Sequence, residues 1–305
     1  MIRPSRPTRH APLHLRFASH HLEPTALAIH ERRHGDAATA LAATSRKGFA
    51  NGQAADLDFL LAWELVRAGK AADAAPLIPS FERAPSPPSA YVALVAGEAL
   101  AAAGNAAGAA AWLEKVTADA APIATRGQLA LAGAYVSAGR EADARRLYEQ
   151  VAARTDPTPG TEKALSWLLQ RVGKASADAT PFARRIYRFY PGSAEDRAIA
   201  DWYVPNDADR AYRADRLQEA GDFSGAVSLL KDKIDALPAN ACVARYAYGR
   251  AQHKLNNVTI AAAILDPLGK ECHTSEPDRG AKALYLAGKS YERKKESGHA
   301  SRGYA

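Results

Sequence analysis

Small, apolar and polar residues recur along this chain at fixed distances from a series of glycines. The signature is Gly-polar-x-x-x-Ala, and it pairs Gly35 with Ala40, Gly69 with Ala74, Gly104 with Ala109, Gly139 with Ala144 and Gly221 with Ala226. Two degenerate copies keep the frame, Gly173 with Asp178 and Asn256 with Ala261. Successive turn positions lie 34, 35, 35, 34, 48 and 35 residues apart, and a period near 34 predicts stacked helix hairpins. Seven residues before each turn stand Ala28, Ala62, Gly97, Ala132, Ser166, Ala214 and Gly249, all small. Two helices of a hairpin cross most closely at one level, where a larger side chain would push them apart. Four residues after each turn alanine come Ile78, Leu113, Tyr148, Phe182, Leu230 and Leu265, bulk that fills the next layer, with Thr44 the exception in the first copy. Pro122, Pro157, Pro191 and Pro238 then stop the second helices, because proline lacks the N–H that a helix interior needs.

A small residue at the eighth position, Gly at the fifteenth, Ala at the twentieth and Pro near the thirty-second resemble the tetratricopeptide family. The resemblance covers roughly residues 24–300. It implies an all-α fold, a right-handed tetratricopeptide-like α-superhelix of about seven helix hairpins plus a truncated eighth. The expected organisation is a basic, His-rich tail over 1–23, repeats 1–5 over 24–190, an insertion over 191–207, and repeats 6–8 over 208–305. The insertion accounts for the 48-residue interval and holds Pro191, Gly192, Trp202, Tyr203 and Pro205. It reads as an extra helix or loop between hairpins, or as a ligand-contacting loop. The eighth unit starts at Arg279, carries Gly288 at the small position and places its turn near Lys295. Ten residues beyond that are too few for a packed second helix. An apolar end is therefore expected, covered by a partner or by sequence outside this chain.

Charge and cysteine content narrow the setting. A formal net charge of +7 leans toward anionic partners such as a cell-wall polymer, an acidic protein segment or, less favoured, nucleic acid, or is simply a solvated basic surface. No run approaches the 18 or so apolar residues of a membrane span. The segment before His21 lacks the apolar core of a secretory signal, which suits the cytoplasm unless the natural start lies upstream. Cys242 opens the first helix of the seventh unit and Cys272 ends its second, 14 residues before and 16 after the turn at Asn256. An antiparallel hairpin brings both to one open end. There they form either a disulfide, which would indicate an oxidising compartment such as the periplasm, or a pair of small buried thiols.

No phosphate-binding glycine loop, nucleophile elbow or zinc motif is present, and neither a catalytic residue nor a cofactor or metal site is assigned. His10, His14, His20, His21, His30 and His34 cluster at the N-terminus. His30 and His34 have helical ligand spacing, but no cysteine or carboxylate cluster completes a site, and a basic tail explains them. Reading outward positions of the first helices gives bland chemistry until the last two units. There the expected binding wall is Tyr246, Arg250, His253 and Lys254, then Lys282, Tyr285, Lys289 and Arg293. Tyrosines interleaved with cations suit sugars or acidic groups. At 182–190, Phe182, Ile186 and Phe189 take core spacing and leave Arg184, Arg185 and Arg188 merely exposed.

Residues 211–296 resemble the superhelical region of soluble lytic murein transglycosylases. The hairpin 212–237 carries this, with Ala241-Cys242-Val243-Ala244-Arg245-Tyr246, Gly249-Arg250, Leu255, Glu271-Cys272 and Ala283-Leu284-Tyr285-Leu286-Ala287-Gly288-Lys289-Ser290. The resemblance implies a non-catalytic module that helps to position peptidoglycan, in a periplasmic protein. The family's catalytic Glu-Ser precedes a Gly-Leu-Met-Gln signature. Here Glu296-Ser297 runs into Gly298-His299, and the only methionine is Met1, so no catalytic residue carries over. The alternative is a plain tetratricopeptide scaffold for protein–protein interaction.

Overall fold

The computed structural model describes residues 22–116, 123–154 and 158–303, with side chains to residue 295. The positions of His10, His14, His20, His21, Pro122 and Pro157 lie outside the described residues. Among the described residues every regular element is helical. In chain order they are α1 (Glu23–His30), α2 (His34–Ala43), α3 (Asn51–Arg67), a 3₁₀ segment (Ala71–Leu77) running into α4 (Ile78–Phe81), α5 (Ser89–Ala102), α6 (Ala106–Leu113), α7 (Ala124–Ser137) and α8 (Glu141–Ala152). There follow α9 (Thr161–Val172), α10 (Ala179–Phe189), α11 (Ala194–Ile199), α12 (Asp207–Glu219), α13 (Phe223–Leu230), α14 (Cys242–Lys254), α15 (Val258–Glu271) and α16 (Pro277–Gly303). The chain divides into two compact units, Met1–Leu147 and Tyr148–Ala305.

The hairpin turns share one geometry. After α3, α5, α7, α12 and α14, the residues Gly69, Gly104, Gly139, Gly221 and Asn256 take φ between +64° and +90°. Each closes a pair of backbone bonds, as in Gly104 N–H to Ala101 O (3.1 Å) and Asn105 N–H to Leu100 O (2.8 Å). A left-handed residue at this point lets two orphaned helix carbonyls accept hydrogen bonds, and glycine adopts it without a Cβ clash. The predicted close-approach positions explain the rest of the period. Ala62, Ala132 and Ala214 are fully buried, as are the turn alanines Ala74, Ala109, Ala144, Ala226 and Ala261. A Cβ placed on Gly97 would lie 2.3 Å from Leu113 Cγ, and one on Gly249 would lie 2.6 Å from Leu265 Cγ. The small residue of the first helix therefore receives the bulky residue nine positions after the turn.

Two copies depart from the frame. In the first hairpin the left-handed residue is Arg32, at φ +58°, and Gly35 lies inside α2. Thr25, Ala37 and Leu41 then take the shifted places, with Leu41 wholly inaccessible, while the expected Ala28 is buried as well. A non-glycine left-handed residue costs about 1–2 kcal/mol, whereas burying a leucine returns about 1.5–3 kcal/mol. Packing outweighs the glycine preference and moves the turn by three residues. In the fifth hairpin, Ala179 and Ala183 are buried, one residue beyond the expected Asp178 and Phe182. The slip keeps a carboxylate out of the core. The second hairpin has its own irregularity: Pro76 stands inside the 3₁₀ segment, where its missing N–H interrupts a continuous α-helix.

The insertion contains the short helix α11 and is fastened to α12. Arg213 donates from both terminal nitrogens to the Asp196 carboxylate at 2.7 Å, and also to Tyr187 O at 2.9 Å. Ile199 and Tyr203 are buried, and the Tyr203 hydroxyl donates to Asp209 at 2.5 Å. Burial first, and that hydrogen bond second, push the Tyr203 phenol up to about 12. Arg188 donates to the same Asp209 at 2.7 Å, and Arg185 donates to the carbonyls of Ala152 and Arg154. Arg185 and Arg188 are thus structural ties rather than merely exposed, whereas the Arg184 side chain is 42% exposed and approaches Asp209 only at 3.6 Å.

The eighth unit also differs from expectation. α16 runs unbroken for 27 residues, through the position expected to turn. No glycine or asparagine stands at Lys295 to adopt the left-handed conformation, and Glu292-Arg293-Lys294-Lys295-Glu296 are good helix formers.

Candidate functional site

Within the second unit, α12, α14 and the start of α16 enclose an open groove of about 680 Å³. α12 contributes Asp215, Gln218 and Glu219; α14 contributes Tyr246 and Arg250; and Glu276, Asp278, Arg279 and Lys282 close it from the start of α16. The helices reach this arrangement through an alanine-rich core in which Ala211, Ala214, Ala226, Ala244, Ala247 and Ala251 pack together. Small side chains let the backbones approach and hold the polar residues above them in register.

Cys242 and Cys272 are joined by a disulfide with their Cα atoms 5.9 Å apart. It ties the start of α14 to the end of α15. Glu276 N–H donates to Cys272 O at 2.8 Å, so the turn delivering Glu276 and Arg279 to the groove is built directly on the bridged cysteine.

The groove is electrostatically mixed. Arg279 reaches Asp215 at 3.4 Å and also pairs with Glu276; its guanidinium carbon lies 5.8 Å from the Tyr246 ring centroid. Arg250 donates to Gln218 O at 3.3 Å. The Gln218 amide donates to Asp215 at 2.9 Å, which leaves its buried Oε1 without a hydrogen-bond partner. Asp278 and Lys282 enter without an ion-pair partner among the described residues. Burial raises the Tyr246 phenol above its ordinary value, against the lowering influence of Arg250.

The expected wall of eight residues is thus divided. Tyr246, Arg250 and Lys282 share the groove. His253 is a correction: it is only 4% exposed, with Nδ1 2.8 Å from Ser290 Oγ. Ser290 Oγ donates to Leu286 O, so it accepts from His253, which is held as the Nδ1–H tautomer. Burial, then Arg293 and Lys254, lower the His253 pKa. Lys254, Tyr285, Lys289 and Arg293 are exposed but do not line the groove. Lys289 pairs with Glu292 at 2.9 Å.

The carboxylates Asp215, Glu219, Glu276 and Asp278 escaped the sequence reading. Asp215 and Arg250 occupy the same place in their repeats, six residues before the turn. Asp215 thus stands among the outward positions read as bland, with Glu219 one helical turn beyond it. His30 and His34 lie on different helices, α1 and α2, so their spacing is not that of one helix face. His34 instead makes a 2.6 Å contact with the buried carboxylate of Glu64. Among the described residues no group of three or more His, Cys, Asp or Glu converges as a metal site. No helix among them is long and apolar enough to cross a membrane.

No known protein family's profile matches the chain, and no curated protein matches it. Among solved structures it is similar to a tetratricopeptide repeat protein from Parabacteroides merdae ATCC 43184, with a TM-score of 0.41 and 14% identity. The match covers 88% of this chain and 97% of that one. At that level the reading of helix hairpins stands on the turns and close approaches described above.

Proposed function

We propose that the chain is a helical-repeat scaffold for protein–protein interaction, and that the α12–α14–α16 groove receives an extended segment of a partner protein. The observation that carries this is the mixed content of one open groove: four carboxylates facing Arg250, Arg279 and Lys282 beside the Tyr246 ring. An extended peptide offers donors and acceptors along its backbone and side chains of either sign, and so matches such a lining. A uniformly anionic polymer would meet Asp215, Glu219, Glu276 and Asp278 as repulsive neighbours. The fitting segment carries an acidic residue for Arg250 and Lys282, and a basic one for Asp278 and Glu219. A displayed library of random linear peptides tests this. Enriched sequences should pair opposite charges and lose binding to the Arg250→Glu and Lys282→Glu proteins, yet keep it with Lys254→Glu. No enrichment, or peptides indifferent to all three changes, would refute it.

A second reading, the peptidoglycan-positioning region of a lytic transglycosylase-like protein, is favoured by one observation. The disulfide suits an oxidising compartment such as the periplasm. Co-sedimentation with purified peptidoglycan, lost on Arg250→Glu, is its expected signature; absence of co-sedimentation removes it.

A further inference from the structure

The α12–α14–α16 groove already contains a cation of its own, and that cation is loosely held. Arg279 directs Nη1 to Glu276, at the entrance to α16, and reaches Asp215 with Nη2 alone, at 3.4 Å. A well-formed guanidinium–carboxylate bond is about 2.7–2.9 Å long. The Arg279 guanidinium carbon stands 5.8 Å from the Tyr246 centroid, near the limit of about 6 Å for a cation over a ring. The backbone beside Arg279 is tightly seated. A Cβ on Gly280 would lie 2.9 Å from His273 Cα and 3.0 Å from His273 N, and His273 follows the bridged Cys272. The start of α16 is therefore fixed, and Arg279 meets Asp215 only with the tip of its side chain.

The acceptors around Arg279 are poorly served by it. Asp215 Oδ1 accepts from the Gln218 amide at 2.9 Å, which leaves Oδ2 to the long contact with Arg279. Gln218 is 2% exposed, and its buried Oε1 has no donor among the described residues. A buried acceptor without a donor keeps its full desolvation cost, which a donor that reaches it recovers. The neighbouring charges are otherwise engaged: Arg250 donates to Gln218 O at 3.3 Å, and Glu219 pairs with Arg216 at 2.8 Å. Asp215 Oδ2 and Gln218 Oε1, beside an aromatic ring, suit the planar fork of an arginine better than the point charge of a lysine. We infer that a partner segment binds this groove by placing an arginine where Arg279 now stands, and that Arg279 is an internal competitor for that place. The inference rests on the groove's receiving a partner segment. The incoming guanidinium donates to Asp215 Oδ2 and Gln218 Oε1 and lies against Tyr246, while Arg279 falls back wholly onto Glu276. A competing pair closed about nine-tenths of the time lowers the partner's affinity about tenfold.

Peptides enriched from the displayed library supply the probe. Each is made with a fluorescent label in two forms, with arginine or lysine at its basic position, and titrated into the full chain by anisotropy. The Arg279→Ala and Arg279→Gln proteins should bind the arginine form about tenfold more tightly than the parent. Asp215→Asn should weaken that form, and the lysine form should bind the parent less well than the arginine form. Lys282→Ala removes one positive charge from the same groove but should weaken binding, so a general change of potential cannot imitate the gain. Far-UV circular dichroism checks that each variant is folded. Peptides that bind through Arg250 and Lys282, yet gain nothing from either Arg279 substitution, would overturn this inference and leave the scaffold reading standing. Weaker binding by both folded Arg279 variants would overturn it too, because Arg279 would then contact the partner itself. Absence of any enriched peptide would remove both.

Discussion

Substituting Gly97 by alanine puts the packing argument at its sharpest point. On an unencumbered helix the change would stabilise by up to about 1 kcal/mol, since alanine loses less backbone freedom than glycine. Here the added methyl would stand 2.3, 2.7 and 3.1 Å from three carbons of Leu113. Leu113 is 1% exposed and has no open space to retreat into. Forcing a methyl into such a core costs about 1–3 kcal/mol, which offsets the helix-propensity gain and leaves a net loss of up to about 2 kcal/mol. Leu113→Ala alone should cost about 2–5 kcal/mol through lost burial and a cavity. In the double variant the alanine at 97 fills part of that cavity and meets no leucine. The two costs should therefore fall short of adding by about 1–3 kcal/mol. Gly133→Ala is the control: its Cβ meets nothing within 4 Å, and it should be neutral or stabilising. Urea denaturation followed by far-UV circular dichroism measures all four proteins. If Gly97→Ala behaved like Gly133→Ala, or if the two costs simply added, the close approach would not organise the hairpin.

Two further outcomes follow from the second unit. Reducing the Cys242–Cys272 bond opens a loop with a sequence separation of 30. By chain entropy this should lower the opening free energy of that region by about 3–4 kcal/mol, read as loss of hydrogen-exchange protection over 242–280 with little change in the first unit. Two free thiols titrated without reductant would sink this expectation. His253 gives a pH dependence: its folded pKa is lowered from 6.5, by burial first, so the unfolded chain binds the proton more readily. Its contribution is complete above pH 6.5 and is lost as pH falls through the lower folded value. The stability gap between the parent and His253→Asn should narrow over that window, and a gap that widens would refute the assignment.

The repeat was legible because its determinants are local. A left-handed turn residue, a small residue seven before it and a bulky one nine after it must coexist within a single hairpin. The deviations arose where two local preferences competed. In the first hairpin the burial of Leu41 outweighed Gly35, and in the fifth the exclusion of Asp178 from the core shifted the register. The groove was less legible because it is assembled from three first helices far apart in sequence, so its carboxylates do not cluster along the chain. Outward spacing also could not distinguish Tyr246, which borders the groove, from His253, which turns inward to Ser290 on α16. That contact exists only because α16 packs over α14, and no pattern inside α14 announces it.

The unbroken course of α16 gives the second unit a mechanical element. At 1.5 Å per residue, 27 residues make a beam of about 40 Å. Its first turns carry Arg279 and Lys282 into the groove, and Ala283, Ala287 and Ser290 clamp its middle. With that clamp as the fulcrum, a tilt of roughly 5° would displace the far end, about 20 Å beyond Ser290, by about 1.7 Å. Whatever settles between Asp215 and Lys282 therefore presses on the short arm of a lever whose long arm reaches Gly303.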